Sequence, residues 1–65
     1  MLKYLVQFER LKKGALFSKS GYRWLKRSTR TAEIVRPGEY IGTWFYFANR
    51  DTVEITDLGV LKDDN

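Results

Sequence analysis

The sequence predicts an all-β fold, and three observations lead to that prediction. Beyond Gly14, apolar residues recur with a period of two in several short runs. These runs are rich in β-branched and aromatic residues, and turn-forming residues separate them. Five or six such runs fit into the 65 residues, together with one short helical turn near the start.

The first elements lie before Gly14. Residues 2–8 alternate as a strand does, and we favour a strand there, although their apolar spacing also suits a helical turn. Residues 8–13 predict one short helical or 3₁₀ turn, in which Phe8 and Leu11 point the same way. Gly14 would end this turn with the positive φ that glycine adopts easily.

The rest of the chain predicts strands joined by tight turns. Ser20-Gly21 is typical of a two-residue hairpin turn, and Pro37-Gly38 breaks a strand sharply. The predicted strands are residues 15–19, 22–27, 31–36, 43–47 and 52–56, with a turn at 48–51 and a bend at 57–59.

Short strands of this number predict a small, highly curved antiparallel sheet that closes on itself. An SH3-like barrel is the commonest arrangement at this length. A small OB-type barrel is the alternative that we disfavour, because its strands are usually longer and a helix commonly lies between the third and fourth. We expect residues 1–65 to form one domain with a small core and frayed residues 62–65.

Composition excludes several classes of function. The chain contains no cysteine and no histidine, which removes disulfides, the usual general base and most transition-metal ligands. The sequence contains no Gly-rich phosphate loop, and the spacing of its acidic residues does not indicate a catalytic pair of carboxylates. We therefore predict a protein that is not an enzyme and has no cofactor or metal. Without a long apolar run or a signal-peptide pattern, we expect it to be soluble and cytoplasmic.

Charge is distributed unevenly along the chain. Residues 10–36 carry nine basic residues and one acid, whereas residues 37–65 carry six acids and two basic residues. Such asymmetry produces either cross-strand ion pairs or a separate basic face. Within the basic part, residues 21–30 hold four positive charges, two large aromatic rings and no acid. We interpret them as an exposed hairpin arm.

A family resemblance covers about residues 8–55. The chain resembles short phage and prophage proteins, described as small SH3-like β proteins, most of them without an assigned biochemical role. If so, a phage-encoded protein that acts on a host partner becomes plausible by association. Residues 37–42 depart from the pattern as an apparent insertion. The matching positions are Phe8-x-x-Leu11-x-x-Gly14-x-Leu16-Phe17, Trp24-Leu25-Lys26-x-Ser28, Ala32, Phe47 and Asp51-Thr52-x-Glu54.

The aromatic residues allow two interpretations each. In a strand, Tyr22, Trp24 and Lys26 share one face, where bases would stack and phosphates would pair. The alternative places Trp24 in the core and leaves the cations as solubilising charges. In residues 43–47, we predict Phe45 and Phe47 inside with Trp44 and Tyr46 outside. The alternative places Trp44 beneath residues 37–42.

These observations predict a small basic binding module that is not an enzyme and whose basic face engages the nucleic-acid backbone, DNA or RNA. The alternative is a phage-encoded inhibitor or adaptor that binds an acidic host protein. Association of exposed strand edges into a homodimer is a third possibility. No membrane partner is expected. The candidate binding residues are Lys12, Lys13, Arg23, Trp24, Lys26, Arg27, Arg30, Arg36, Trp44 and Tyr46.

Overall fold

A computed structural model describes residues 2–36 and 38–63 of the chain. These residues form one antiparallel sheet of six short strands. The prediction of an all-β fold is confirmed. Three 3₁₀ turns, Phe8–Arg10, Gly38–Tyr40 and Leu58–Val60, lie between or after strands. The strands are β1 (Tyr4–Gln7), β2 (Leu16–Lys19), β3 (Tyr22–Lys26), β4 (Thr31–Arg36), β5 (Trp44–Tyr46) and β6 (Thr52–Ile55).

The strand order is β1-β6-β2-β3-β4-β5. Strands β2 to β5 follow one another as a meander, and β6 then returns to lie between β1 and β2. Among the described residues, β1 and β5 do not pair, so the predicted closure of the sheet is wrong. The two strands lie at opposite ends of the order, and β5 is only three residues long.

The turn between β2 and β3 follows directly from its two residues. Ser20 and Gly21 both have positive φ, 53° and 82°, which is the signature of a type I′ hairpin turn. This turn matches the twist of the flanking strands and sets Lys19 opposite Tyr22. Gly14 also has a positive φ, 86°, as predicted from its place after the first 3₁₀ turn.

An aromatic cluster fills one side of the sheet. The Phe8 and Phe47 rings stack at 4.8 Å between centroids, and Trp24 meets Phe47 edge-on at 5.0 Å. Edge-to-face and offset pairs of this kind add to the free energy gained by burying apolar area. The remaining buried apolar residues are Leu11, Ala15, Phe17, Ala32, Ile34, Val53 and Ile55.

Strand β3 is an interior strand, so the predicted exposed hairpin arm is wrong. It pairs with β2 on one edge and with β4 on the other. Trp24 is 6% exposed because it lies in the aromatic cluster, and its Nε1 donates a hydrogen bond to the Lys19 carbonyl at 3.0 Å. The strand that carries Arg23 and Lys26 therefore lies in the middle of the sheet, with a neighbouring strand on each side.

Near the chain end, backbone contacts fix the segment after β6. Leu11 and Leu61 form an isolated antiparallel bridge, and the Lys62 amide donates to the Arg10 carbonyl at 2.8 Å. The predicted fraying therefore does not hold at Lys62, and for residues 64–65 it lies outside the described residues. Pro37, where we expected a strand break, is also outside them. Within the described part of the chain, no helix has the length and apolar character to cross a membrane.

Candidate functional site

A groove of about 640 Å³ lies on the face of the sheet opposite the aromatic cluster. Ser18, Arg23 and Glu54 line it, and they alternate along their strands with the buried Phe17 and Trp24 and with Val53. Four cations and one acid surround it, and we call it the cationic groove. Its charged residues are Lys3, Lys19, Arg23, Arg36 and Glu54.

Strand pairing places these side chains in a row. Ser18 of β2 stands opposite Glu54 on one side and opposite Arg23 on the other. Arg23 in turn stands opposite Arg36 of β4. The register shifts between Arg23 and Trp24, because Trp24 pairs with Ile34 rather than with residue 35. This irregularity brings the two arginines together across the strands.

The paired arginines repel each other, and one of them, Arg23, has a buried polar atom without a hydrogen-bond partner. Like charges directly opposite each other destabilise a sheet. The Nε of Arg23 is buried without a hydrogen-bond partner, and among the described residues neither Arg23 nor Arg36 forms an ion pair. Glu54 instead lies 3.8 Å from the Lys3 ammonium at the far side of the groove. An anion between the arginines would supply the missing acceptor.

A second groove of about 520 Å³ lies on the other side of the β2–β3 turn. Trp24, Phe47 and Ile34 lie at its base, and exposed rings form its walls. We call it the aromatic groove. Its wall residues include Tyr22, Tyr40, Phe45 and Tyr46, with Lys19 and Asp51 as its charged residues.

The two grooves meet at the β2–β3 turn. Lys19, Ser20 and Tyr22 line both of them. The Lys19 ammonium donates to the Thr52 carbonyl at 2.9 Å, which holds this cation near β6. A ligand that crosses the turn would meet cations on one side and aromatic rings on the other.

Two predicted binding residues, Trp24 and Lys26, lie in the core, so their assignment to an outer binding face is wrong. They do share one face of β3, but it is the face that packs on the aromatic cluster. The alternative that placed Trp24 in the core is confirmed. The cations of β3 therefore do not act as one surface.

Lys26 is a buried cation held by the backbone. Its side chain is 1% exposed, and its Nζ donates to the carbonyls of Phe8 at 3.0 Å and Leu11 at 2.8 Å. The ammonium also lies 4.2 Å from the centroid of the Phe8 ring. Burial lowers the pKa of Lys26 from 10.5 to about 8, with a smaller effect of the Lys62 charge and an opposing one of Glu9.

Other predicted binding residues are scattered. Arg27 contacts Glu33 at 3.0 Å, and its guanidinium carbon lies 5.3 Å from the Trp44 ring centroid. Arg30 donates from Nε to the Phe47 carbonyl at 3.0 Å. Lys12 and Lys13 are exposed, but they line neither groove. Of the predicted cations, the structure thus brings only Arg23 and Arg36 together in the cationic groove.

The aromatic strand β5 agrees with the prediction in part. Phe47, just beyond its end, is buried, while Trp44 and Tyr46 are exposed by 53% and 86%, as predicted. The alternative of a Trp44 covered by residues 37–42 is therefore wrong. The predicted burial of Phe45 is also wrong, because half of this ring is exposed. Phe45 belongs to an edge strand, so it rests edge-on against Trp24 at 5.4 Å with nothing beyond it to complete its burial.

The groove residues that sequence reasoning missed as members of a site include Lys3, Lys19, Tyr40 and Phe45. Lys19 had a usable signal, because it directly precedes the Ser20-Gly21 turn and therefore stands at the end of a hairpin. Lys3 and Tyr40 had none, because their positions depend on how distant strands and turns assemble.

No protein-family model, curated protein or solved structure matches this chain. Its site must therefore be interpreted from chemistry alone. Among residues 2–36 and 38–63, no cluster of three or more acidic side chains is placed to hold a metal ion. The distinctive chemistry of the described surface lies in the cationic groove and the aromatic groove.

Proposed function

We propose that this protein is a binding module without catalytic activity, and that its cationic groove binds the phosphate backbone of a nucleic acid. One observation carries the proposal: Arg23 and Arg36 stand side by side, without an acidic partner among the described residues, in a groove with two further cations. Guanidinium groups bind phosphate in a bidentate manner, which lysine cannot do. The proposed ligand is thus a polyanion with closely spaced phosphates.

Charge across the sheet supports this ligand further. The one acid of the groove, Glu54, pairs with Lys3, which leaves the positive charges of Lys19, Arg23 and Arg36 unbalanced within the groove. Contacts to phosphate position a ligand without reading its sequence. We therefore expect little sequence preference. We also expect the affinity to fall steeply as the salt concentration rises, because binding releases counterions from the nucleic acid and added salt makes that release less favourable.

The test is fluorescence anisotropy with labelled oligonucleotides at about 50 mM and 200 mM salt. Arg23→Gln/Arg36→Gln should weaken binding at least about tenfold at the lower salt and reduce the salt slope by about 2. Lys12→Gln/Lys13→Gln removes the same charge outside the grooves and should have a much smaller effect. Circular dichroism confirms that both variants fold. Equal losses in the two variants, or no binding by the wild type at low salt, would overturn the proposal.

A second function, binding to an acidic protein, is favoured by one observation. Trp44 and Tyr46 on the edge strand β5 are largely exposed, and aromatic anchors of this kind dominate protein interfaces. Under this proposal Trp44→Ala would weaken binding to the partner more than any single arginine substitution does. Oligonucleotides would then bind at low salt only, so the same titration separates the two functions.

The finer class of the fold is likewise a proposal. Six short strands, a meander and 3₁₀ turns between strands support an SH3-like arrangement with an open seam between β1 and β5. An experimental structure with a continuous closed ladder or a long inserted helix would contradict it. Phage origin, implied by the resemblance alone, stays a prediction.

A further inference from the structure

The aromatic groove exposes several rings that a small protein would ordinarily cover. Tyr40 and Phe45 are each about half exposed, and Tyr46 is almost fully exposed. The Tyr22 and Tyr40 rings meet edge-on, with 6.0 Å between their centroids, and both residues line the groove. Exposed aromatic area of this kind, gathered at one place, marks a contact surface.

The chemistry around this surface limits what it binds. Its charged residues are Lys19, which also lines the cationic groove, and Asp51. Asp51 accepts a hydrogen bond from the Ala48 amide at 2.9 Å through its Oδ2. The Lys19 ammonium donates one hydrogen bond to the Thr52 carbonyl and keeps two further N–H donors for an anion. A flat apolar group attached to an anion fits both features.

We propose that the aromatic groove takes the unpaired bases of a nucleic acid whose phosphates lie in the cationic groove, so that the ligand is single-stranded. This inference rests on the proposed function. Bases stack on aromatic rings whatever their sequence, because every base has a π face. In a duplex those faces are covered by neighbouring base pairs, and the rings would have nothing to stack on.

The position of the β2–β3 turn explains how one strand would reach both surfaces. Arg23 and Trp24 are adjacent in β3 and point to opposite sides, one towards the cationic groove and the other to the base of the aromatic groove. A single strand that crosses Ser20 and Gly21 places phosphates beside Arg23 and Lys19. Its bases then turn towards Tyr22 and Tyr40.

The experiment compares three labelled ligands of equal length: a single-stranded oligothymidine, the same strand with abasic sites throughout, and a duplex. The wild type should bind the oligothymidine at least about tenfold more tightly than the abasic strand, because each stacked base contributes to affinity. It should also prefer the single strand to the duplex. Quenching of tryptophan fluorescence by the bases, absent with the abasic strand, provides a second readout.

Two variants locate the effect. Tyr40→Leu/Tyr46→Leu should remove most of the preference for the oligothymidine, while binding to the abasic strand and the salt slope stay unchanged. Leu58→Ala changes an exposed apolar residue that lines neither groove, so it serves as the control and should retain the preference. Both tyrosines are at least half exposed, so folding is expected to survive the change.

The outcomes separate the inference from the function beneath it. If the abasic strand binds as tightly as the oligothymidine, with a strong salt dependence, backbone binding stands and base stacking is wrong. If no ligand binds at low salt, both fail. A loss of abasic-strand binding in the tyrosine variant would also overturn the inference, because the rings would then act through the fold. Tight binding of an apolar peptide with no base-dependent binding would assign the groove to a protein partner instead.

Discussion

The two faces of the sheet hold positive charge differently. On the inner face, the ammonium of Lys26 is almost completely buried, but two backbone carbonyls and an aromatic ring surround it. On the outer face, Arg23 is half-buried, its Nε has no hydrogen-bond partner, and Arg36 stands directly opposite. The first cation is satisfied by the fold itself, whereas the second is left to be satisfied from outside.

This difference shows how one strand serves both folding and binding. Side chains that alternate along β3 have neighbours of different kinds, although they are close in sequence. A buried cation with dedicated acceptors acts as a structural element, while a partly buried cation without an acceptor marks a place for an anion. Both residues are cations of the same strand, so their different partners decide their roles.

The largest expected effect is a difference in the free energy of unfolding between variants of the two tryptophans, which lie on opposite faces of the sheet. Trp24→Ala should lower the free energy of unfolding by about 3–5 kcal/mol, because it removes the centre of the aromatic cluster. A loss of this size is comparable with the whole stability of a small domain. Trp44→Ala on the outer side should cost less than about 1 kcal/mol. Urea unfolding followed by circular dichroism measures both, and similar losses would contradict the assignment of the faces.

A smaller effect comes from the pKa of Lys26, which is lowered from 10.5 to about 8 in the folded protein. Between these values the unfolded chain binds one more proton than the folded chain, so stability should rise with pH by up to about 3 kcal/mol. Below about pH 8 both states are protonated, and this contribution to the pH dependence vanishes. Urea midpoints measured from pH 7 to pH 10.5 follow the change.

Lys26→Met is the matched control for this pH dependence. Methionine removes the buried charge, but it leaves the Leu11 carbonyl without the hydrogen bond that Lys26 donates. All other ionisable groups are common to the two proteins, so the difference between the two curves isolates Lys26. Parallel curves for the wild type and the variant would show that the ammonium is not desolvated in the folded state.

The smallest effect concerns the turn between the faces. Ser20 has a φ of 53°, a left-handed conformation that asparagine adopts more readily than serine. Ser20→Asn should therefore stabilise the protein by about 0.5 kcal/mol. Thermal unfolding measures the gain, and Gly21→Ala, which places a Cβ at a φ of 82°, should instead destabilise. A stabilising Gly21→Ala would exclude the type I′ geometry.

Local patterns were sufficient to predict much of the fold. The Ser20-Gly21 turn, the positive φ of Gly14 and strand β4 at residues 31–36 all depend on neighbouring residues, and they are confirmed. In each case the deciding interaction spans only a few positions of the chain. Trp44 and Tyr46 are exposed as predicted, but alternation along β5 does not explain their exposure, because Phe45 between them is half exposed as well.

The remaining features depend on residues that are distant in sequence. No residue near Lys26 in sequence indicates that its ammonium will donate hydrogen bonds to the carbonyls of Phe8, in the first 3₁₀ turn, and of Leu11, directly after it. The pairing of Arg23 with Arg36 requires a register shift, and the sequence of neither strand predicts that shift. Two of the ten candidate residues, Trp24 and Lys26, were therefore placed on the wrong face, because they carry the right chemistry but point to the inner face.

The return of β6 between β1 and β2 has a consequence for biosynthesis. During translation, the β2–β5 meander is complete before residues 52–55 have been made, but β1 has no neighbour in the sheet until β6 arrives. Strand β1 therefore stays unpaired in the sheet while β2 to β5 are synthesised, and long-range pairing of this kind is slow. The last pairing joins β1, the first strand of the sheet, to β6, its last, so ribosomal products that stop before β6 would leave β1 and the free edge of β2 open to aggregation or proteolysis.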